Sequence, residues 1–137
     1  MATFTATAAQ STAPAHYLVN GDIVRNVEYT VPGTALSAGD VIQMVRIPAG
    51  ARINDIIFAI SSTSQSHTVT IGDGNDADRY FTSQSAVLNQ VVRMSEVTGF
   101  AYSYSAEDTI DITIGTVTSG TAADADLRLI VSYTMMP

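Results

Sequence analysis

The chain has 137 residues, a net charge of −7, no cysteine and no lysine. That length is near the commonest size of a single domain and buries enough surface for a core without metal or disulfide support. Disulfides, thiol nucleophiles and cysteine-ligated zinc are excluded outright. The six arginines (25, 46, 52, 79, 93 and 128) are scattered, so there is no basic patch to neutralise phosphates, and nucleic acid is not an expected partner. An acidic chain is also repelled by anionic membranes, and no apolar run is long enough to cross one as a helix, so no membrane partner is expected. Charged residues make up only 14% and hydrophobic ones 46%. That balance fits a folded domain with a surface rich in Thr, Ser, Ala and Asn, part of it covered by partners.

Residues 1–20 are rich in Ala, Thr and Ser, carry no acidic or basic side chain, and include Pro14. They read as an extended N-terminal arm, either mobile or ordered on a neighbouring subunit, ahead of a domain over 21–137. The start lacks the basic and long apolar regions of a secretory signal.

From residue 21 the pattern is that of strands. IVRNVEYTV (23–31), DVIQMVRI (40–47) and RINDIIFAI (52–60) come first. HTVTI (67–71) sets His67, Val69 and Ile71 against Thr68 and Thr70, and a further strand is expected to enter at 79–82. LNQVVRM (88–94) fits a strand or a short helix, and its β-branched residues favour the strand. FAYSY (100–104) places Phe100, Tyr102 and Tyr104 on one side. DTIDITIG (108–115) puts Ile110, Ile112 and Ile114 on one face and Thr109, Asp111 and Thr113 on the other. DLRLIVSYTM (126–135) does the same with Leu127, Leu129, Val131, Tyr133 and Met135. Turn residues fall between: Pro32-Gly33, Gly39-Asp40, Pro48-Ala49-Gly50, Gly72-Asp73-Gly74-Asn75, Thr98-Gly99 and Ser119-Gly120. About eight strands at spacings near a dozen residues predict an all-β fold, a single antiparallel β-sandwich of jelly-roll type.

No motif for chemistry emerges. In IGDGNDADRYF (71–81) an EF-hand loop starting at Asp73 would find a ligand at Asn75. It fails where positions 5, 6 and 12 fall on Ala77, Asp78 and Gln84. The stretch reads instead as an Asp/Gly/Asn turn, with Arg79 able to pair with one of its carboxylates. His16 lies in the arm, and His67 reads as a rim or packing residue rather than a base. The serines of SSTSQS (61–66) form a loop without a nucleophile motif. Glu107-Asp108 and the run Asp124–Asp126 read as solvated strand ends, not a carboxylate pair for glycoside hydrolysis. GDG leads into a strand and cradles no phosphate. The Tyr and Phe residues read as core rather than a sugar platform. No catalytic, cofactor-binding or metal site is expected, and the chain is not read as an enzyme.

The segments VIQMVRIPAGARINDIIFAI, TVTIGDGNDADRYF, DTIDITIG and LRLIVSYT resemble small virion proteins of tailed bacteriophages, and the resemblance covers roughly residues 27–134. The most specific parts are IPAGARI (47–53) and GDGNDADRYF (72–81). The resemblance implies a jelly-roll module acting as a capsid cement (decoration) protein. Such a protein sits on the outer capsid surface and bridges major capsid subunits, as a homodimer or homotrimer. The alternative it implies is a receptor- or carbohydrate-binding module of a head fibre or tail fibre. The arm, 1–20, matches this family least.

Overall fold

A computed structural model describes residues 1–6, 22–31, 37–61, 67–86, 91–117 and 125–136. They form nine strands: β1 (Thr3–Thr5), β2 (Asp22–Val31), β3 (Val41–Ile47), β4 (Ala51–Ser61), β5 (His67–Asp73), β6 (Phe81–Ala86), β7 (Val91–Arg93), β8 (Asp108–Val117) and β9 (Ala125–Met135). Sheet one has the order β1-β3-β8-β5-β6, and sheet two β2-β9-β4-β7.

The pairing identifies the topology. β2 pairs antiparallel with β9, β3 with β8, β4 with β7 and β5 with β6. This is one long hairpin of four strand pairs, wrapped on itself. The β4–β9 and β5–β8 contacts join the pairs into two sheets. The fold is therefore the expected antiparallel β-sandwich of jelly-roll type.

The alternation read in the sequence explains the core. Ile110, Ile112 and Ile114 of β8 are buried, as are Leu127, Leu129, Val131 and Tyr133 of β9. They meet Ile42, Ile47, Val69 and Ile71 from sheet one and Ile53, Ile56 and Phe58 from sheet two. Each fully buried side chain of this kind contributes about 1.5–3 kcal/mol through removal of apolar surface from water. Bulges break the alternation in both β3 and β4. In β3 the register shifts between Gln43 and Val45, so Met44 and Val45 are both buried. In β4 it shifts between Ile53 and Asp55, moving the buried set from Ile53 to Ile56 and Phe58.

Three sequence expectations need correction. Residues 100–104 are not a strand. A turn covers 97–101, Ala101 within it adopts a left-handed φ of 59°, and only a single bridge, Arg52 with Ser103, pairs the segment to β4. Phe100 is consequently exposed while Tyr104 is buried. Arg79 and Tyr80 precede β6 rather than belonging to it. The start of the expected arm is in the chain's own sheet: Thr3–Thr5 pair in parallel with Val41–Gln43 at the edge of sheet one, and Ala6 is buried. Residues 7–20 of that arm, His16 included, lie outside the described residues, as do 62–66, 87–90 and Asp124.

Candidate functional site

The acid-rich stretch IGDGNDADRYF closes one end of the sandwich. β5 ends at Asp73, on the same face as the buried Val69 and Ile71, so its side chain points inward. One oxygen, Oδ1, accepts the backbone N–H groups of Asn75 (3.1 Å) and Asp76 (3.0 Å) and closes the turn. The other, Oδ2, accepts Arg79 Nε at 2.6 Å and the Tyr104 hydroxyl at 3.0 Å. Asp73 is therefore both the turn cap that its residue type predicts and half of a buried ion pair with Arg79.

Around this pair the packing is aromatic. The Arg79 guanidinium lies 3.7 Å from the centre of the Tyr102 ring, and Tyr102 meets Tyr104 edge-on at 5.0 Å. The Tyr80 and Tyr104 hydroxyls are 2.6 Å apart. Since Tyr104 donates to Asp73, its proton is committed, and Tyr80 must donate to Tyr104. Burial pushes both phenols well above their usual range, so both stay neutral.

The segment carrying Tyr102 and Tyr104 is tied to β4 by Ile53 N–H to Tyr102 O and Tyr104 N–H to Ala51 O, both 2.8 Å. Asp73 belongs to sheet one and β4 to sheet two. The Asp73–Tyr104 bond thus latches the sheets together at this end.

The order of donors sets unequal costs. Tyr80→Phe removes only the terminal donor and should cost under about 1.5 kcal/mol. Tyr104→Phe leaves the Tyr80 hydroxyl without its acceptor and takes one of two donors from Asp73 Oδ2, which keeps Arg79, and should cost about 1–3 kcal/mol. Urea melts of the two variants check this; equal losses would contradict the donor order.

A second buried carboxylate was not legible. Asp111, on the polar side of β8, is only 8% exposed, and among the described residues its Oδ1 has no hydrogen-bond partner. It stands beside Gly72 in the register, where the 74–78 loop folds back over the sheet. Burial pushes its carboxyl up to about 6, with the charges of Asp108 and Asp73 adding to the effect and the Thr109 side chain opposing it. Because the folded pKa lies above the unfolded one, the contribution of Asp111 to stability is greatest below about pH 4 and is lost as pH rises toward 6. Asp111→Asn should therefore raise stability at pH 8 by about 1–2 kcal/mol, allowing for residual solvent contact, and change little at pH 4. Thermal melts at the two pH values measure it.

The remaining predicted residues are dispersed. Glu107 pairs with Arg46 at 2.6 Å on the surface, Arg93 with Asp55 at 2.9 Å, and Arg128 with Glu28 at 3.3 Å. Such exposed pairs contribute little. Asp108 caps its own strand through the Thr109 N–H, and Asp126 accepts the Thr30 hydroxyl. Among the described residues no three His, Asp or Glu side chains come together as a metal site. The chemistry available at the latch is structural: its carboxylate and its phenols are already engaged with one another.

No model of a known protein family matches the sequence, and no curated protein matches it. Solved structures do match. A chain in the capsid of Ralstonia phage GP4 superposes with a TM-score of 0.80 at 17% identity, covering 98% of this chain and 99% of that one. A chain in the capsid asymmetric unit of cyanophage Pam1 gives 0.71 at 19% identity, with 94% of each covered. A chain in the acidic stable capsid structure of Helicobacter pylori bacteriophage KHP30 gives 0.62 at 10% identity, over 90% of this chain and 92% of that one.

The fold is one found in phage capsids. At these identities the likeness lies in the path of the backbone, so no side-chain role is carried over from those chains. Coverage close to complete in both directions means that the whole jelly roll is shared, not one sheet of it. In this chain the latch closes one end of that sandwich. Beyond it the turn 97–101 stands out from the surface, with Val97 and Phe100 exposed and Gly99 packed on Tyr80. The Thr98 hydroxyl holds that turn by donating to Arg79 O at 2.8 Å.

Proposed function

We propose that this chain is a structural virion protein of a tailed phage. In this reading it is a capsid cement that sits on the outer surface and bridges neighbouring major capsid subunits. The observation that carries the reading is the end-to-end likeness to chains in phage capsids, at a TM-score of 0.80 for the GP4 chain. Charge supports the outer placement: at −7, the protein is repelled by packaged DNA. Composition supports broad contacts, since lysine, which is depleted at interfaces, is absent.

A cement acts by touching two or more subunits at once. Each contact is weak, but bridging makes the second intramolecular, and the stabilisation is repeated over the shell. A homodimer or homotrimer on a capsid symmetry axis does this most simply. Residues 7–20 are proposed as an arm reaching a neighbour.

The test is co-sedimentation of the purified protein with shells of the phage that encodes it, stripped of this component. Saturable binding, and shells that withstand more heat or denaturant once loaded, are expected. Failure to bind shells combined with retention on a glycan array would favour the fibre-borne receptor-binding module instead.

A further inference from the structure

Turns between strands ordinarily carry Gly, Asn, Asp and Ser, which suit water and tight backbone angles. The turn 97–101 departs from that rule. Val97 is 89% exposed and Phe100 is 70% exposed. Neither side chain contributes to the core, and each keeps apolar surface in water that folding does not remove. A lone exposed apolar residue is ordinary. These two share one tight turn, closed by the Phe100 N–H donating to Val97 O at 3.2 Å.

The main chain beneath them is fixed. Gly99 N–H donates to Glu96 O at 3.3 Å, and Tyr102 N–H donates to Gly99 O at 3.2 Å. A Cβ at Gly99 would overlap the Tyr80 ring and come within 2.8 Å of Arg79 O, so the turn rests directly on the buried Tyr80. The Thr98 hydroxyl holds Arg79 O from above, and the Arg79 guanidinium covers the Tyr102 ring. The underside of the turn thus belongs to the latch, while Val97 and Phe100 face solvent. A surface ordered in advance loses little freedom on binding, and an aromatic side chain on it is the kind that carries binding energy.

Beside the turn the charge is negative. Glu96 immediately precedes it, and Asp76 and Asp78 lie close by. A hydrogen bond with Asp76 raises the Asp78 carboxyl above its usual range, and the charges of Asp76 and Glu96 act the same way. Arg79 is committed to Asp73 at 2.6 Å and reaches Asp76 only at 3.8 Å, which leaves carboxylate charge in excess there.

We infer that the turn 97–101 is a knob by which this protein docks on a different protein, with Val97 and Phe100 entering an apolar pocket whose rim carries Arg or Lys. Charge identifies the kind of partner. Glu96, Asp76 and Asp78 beside the apolar tip are complementary to a basic rim. A second copy of this chain is poorly suited to supply one. It has no lysine and a net charge of −7, and Arg46, Arg79, Arg93 and Arg128 are already in ion pairs. The inference rests on the cement reading, in which the partner is a major capsid subunit. It adds to that reading the part of the molecule that meets the shell, which is the end of the sandwich closed by the latch. The latch then serves as the base that holds the knob in place.

The double variant Val97→Ser, Phe100→Ser tests it. Both side chains lie in solvent, so the variant should melt within about 3 °C of the unaltered protein. Each protein is titrated onto shells stripped of this component, and its oligomeric state is read by light scattering. The expected result is binding at least about tenfold weaker for the variant, with the oligomeric state unchanged. Glu96→Arg, which reverses a charge beside the tip, should weaken binding at least about threefold at low salt and by less at high salt. It decides alone where the double variant does not fold. Undiminished binding by the deciding variant overturns the inference and leaves the cement reading standing. Loss of an oligomer in the variant also overturns it, since the turn would then face a second copy. Failure of the unaltered protein to bind shells overturns the cement reading itself, and this inference with it.

Discussion

Replacing Asp73 with alanine is expected to cost about 3–5 kcal/mol, the range for breaking a buried ion pair and stranding its hydrogen-bond partners. For a domain of this size that lowers the melting temperature by roughly 10–15 °C. The size of the effect follows from how many groups lose a partner at once: two turn N–H groups, the Tyr104 hydroxyl and the Arg79 guanidinium, which is 12% exposed. Arg79→Gln should cost less, because Asp73 keeps its other three donors. The same asymmetry predicts that Asp73→Asn falls between the two, since an amide accepts on one side only. Circular dichroism melts measure all three. A loss below about 1 kcal/mol for Asp73→Ala would show that the latch does not hold this end of the sandwich.

Gly72→Ala is expected to be the next most damaging change, at about 2–3 kcal/mol. The reason is space rather than backbone angle. A Cβ at Gly72 would lie inside the main chain of Asp76 and Ala77, which fold back over the sheet at this point. Main chain cannot rotate away as a side chain can. The loop would have to lift, breaking the paired bonds Asp73 N–H to Asp76 O (2.9 Å) and Asp76 N–H to Asp73 O (3.3 Å). Gly74→Ala, two residues on, is the internal control. Its Cβ would come within 3.1 Å of the Asp108 carboxylate, a side chain able to shift, so the cost should stay below about 1 kcal/mol. Equal costs at the two glycines would contradict the packing account.

These two residues also show how far the sequence could be read. The stretch 71–81 is legible as a turn, because Gly, Asn and Asp in that order favour one. The Arg79 pairing is legible too, since no other cation is close in sequence. The Asp73–Tyr104 bond is not, because it joins residues 31 apart whose contact depends on two sheets being stacked. The strands β8 and β9 were clear because one face is buried throughout and the period stays at two. β3 and β4 were harder to phase, because a bulge in each lets neighbouring positions such as Met44 and Val45 face inward together. FAYSY looked like a strand on aromatic spacing alone. A left-handed Ala101 turns it aside and separates Phe100, in solvent, from Tyr104, in the core. Asp111 sits at a position that alternation assigns to solvent, and its burial beside Gly72, where Asp76 and Ala77 come close to the sheet, belongs to the fold and not to its strand's pattern.

The central claim concerns place in the particle. A cryo-EM map of the virion that carries this protein tests it most directly. The account predicts density for a jelly roll with these two sheets on the outer face of the shell, repeated across the capsid, with each copy touching at least two major capsid subunits. A shell whose outer face lacks this density, with the jelly roll found only in a tail or fibre, would contradict it.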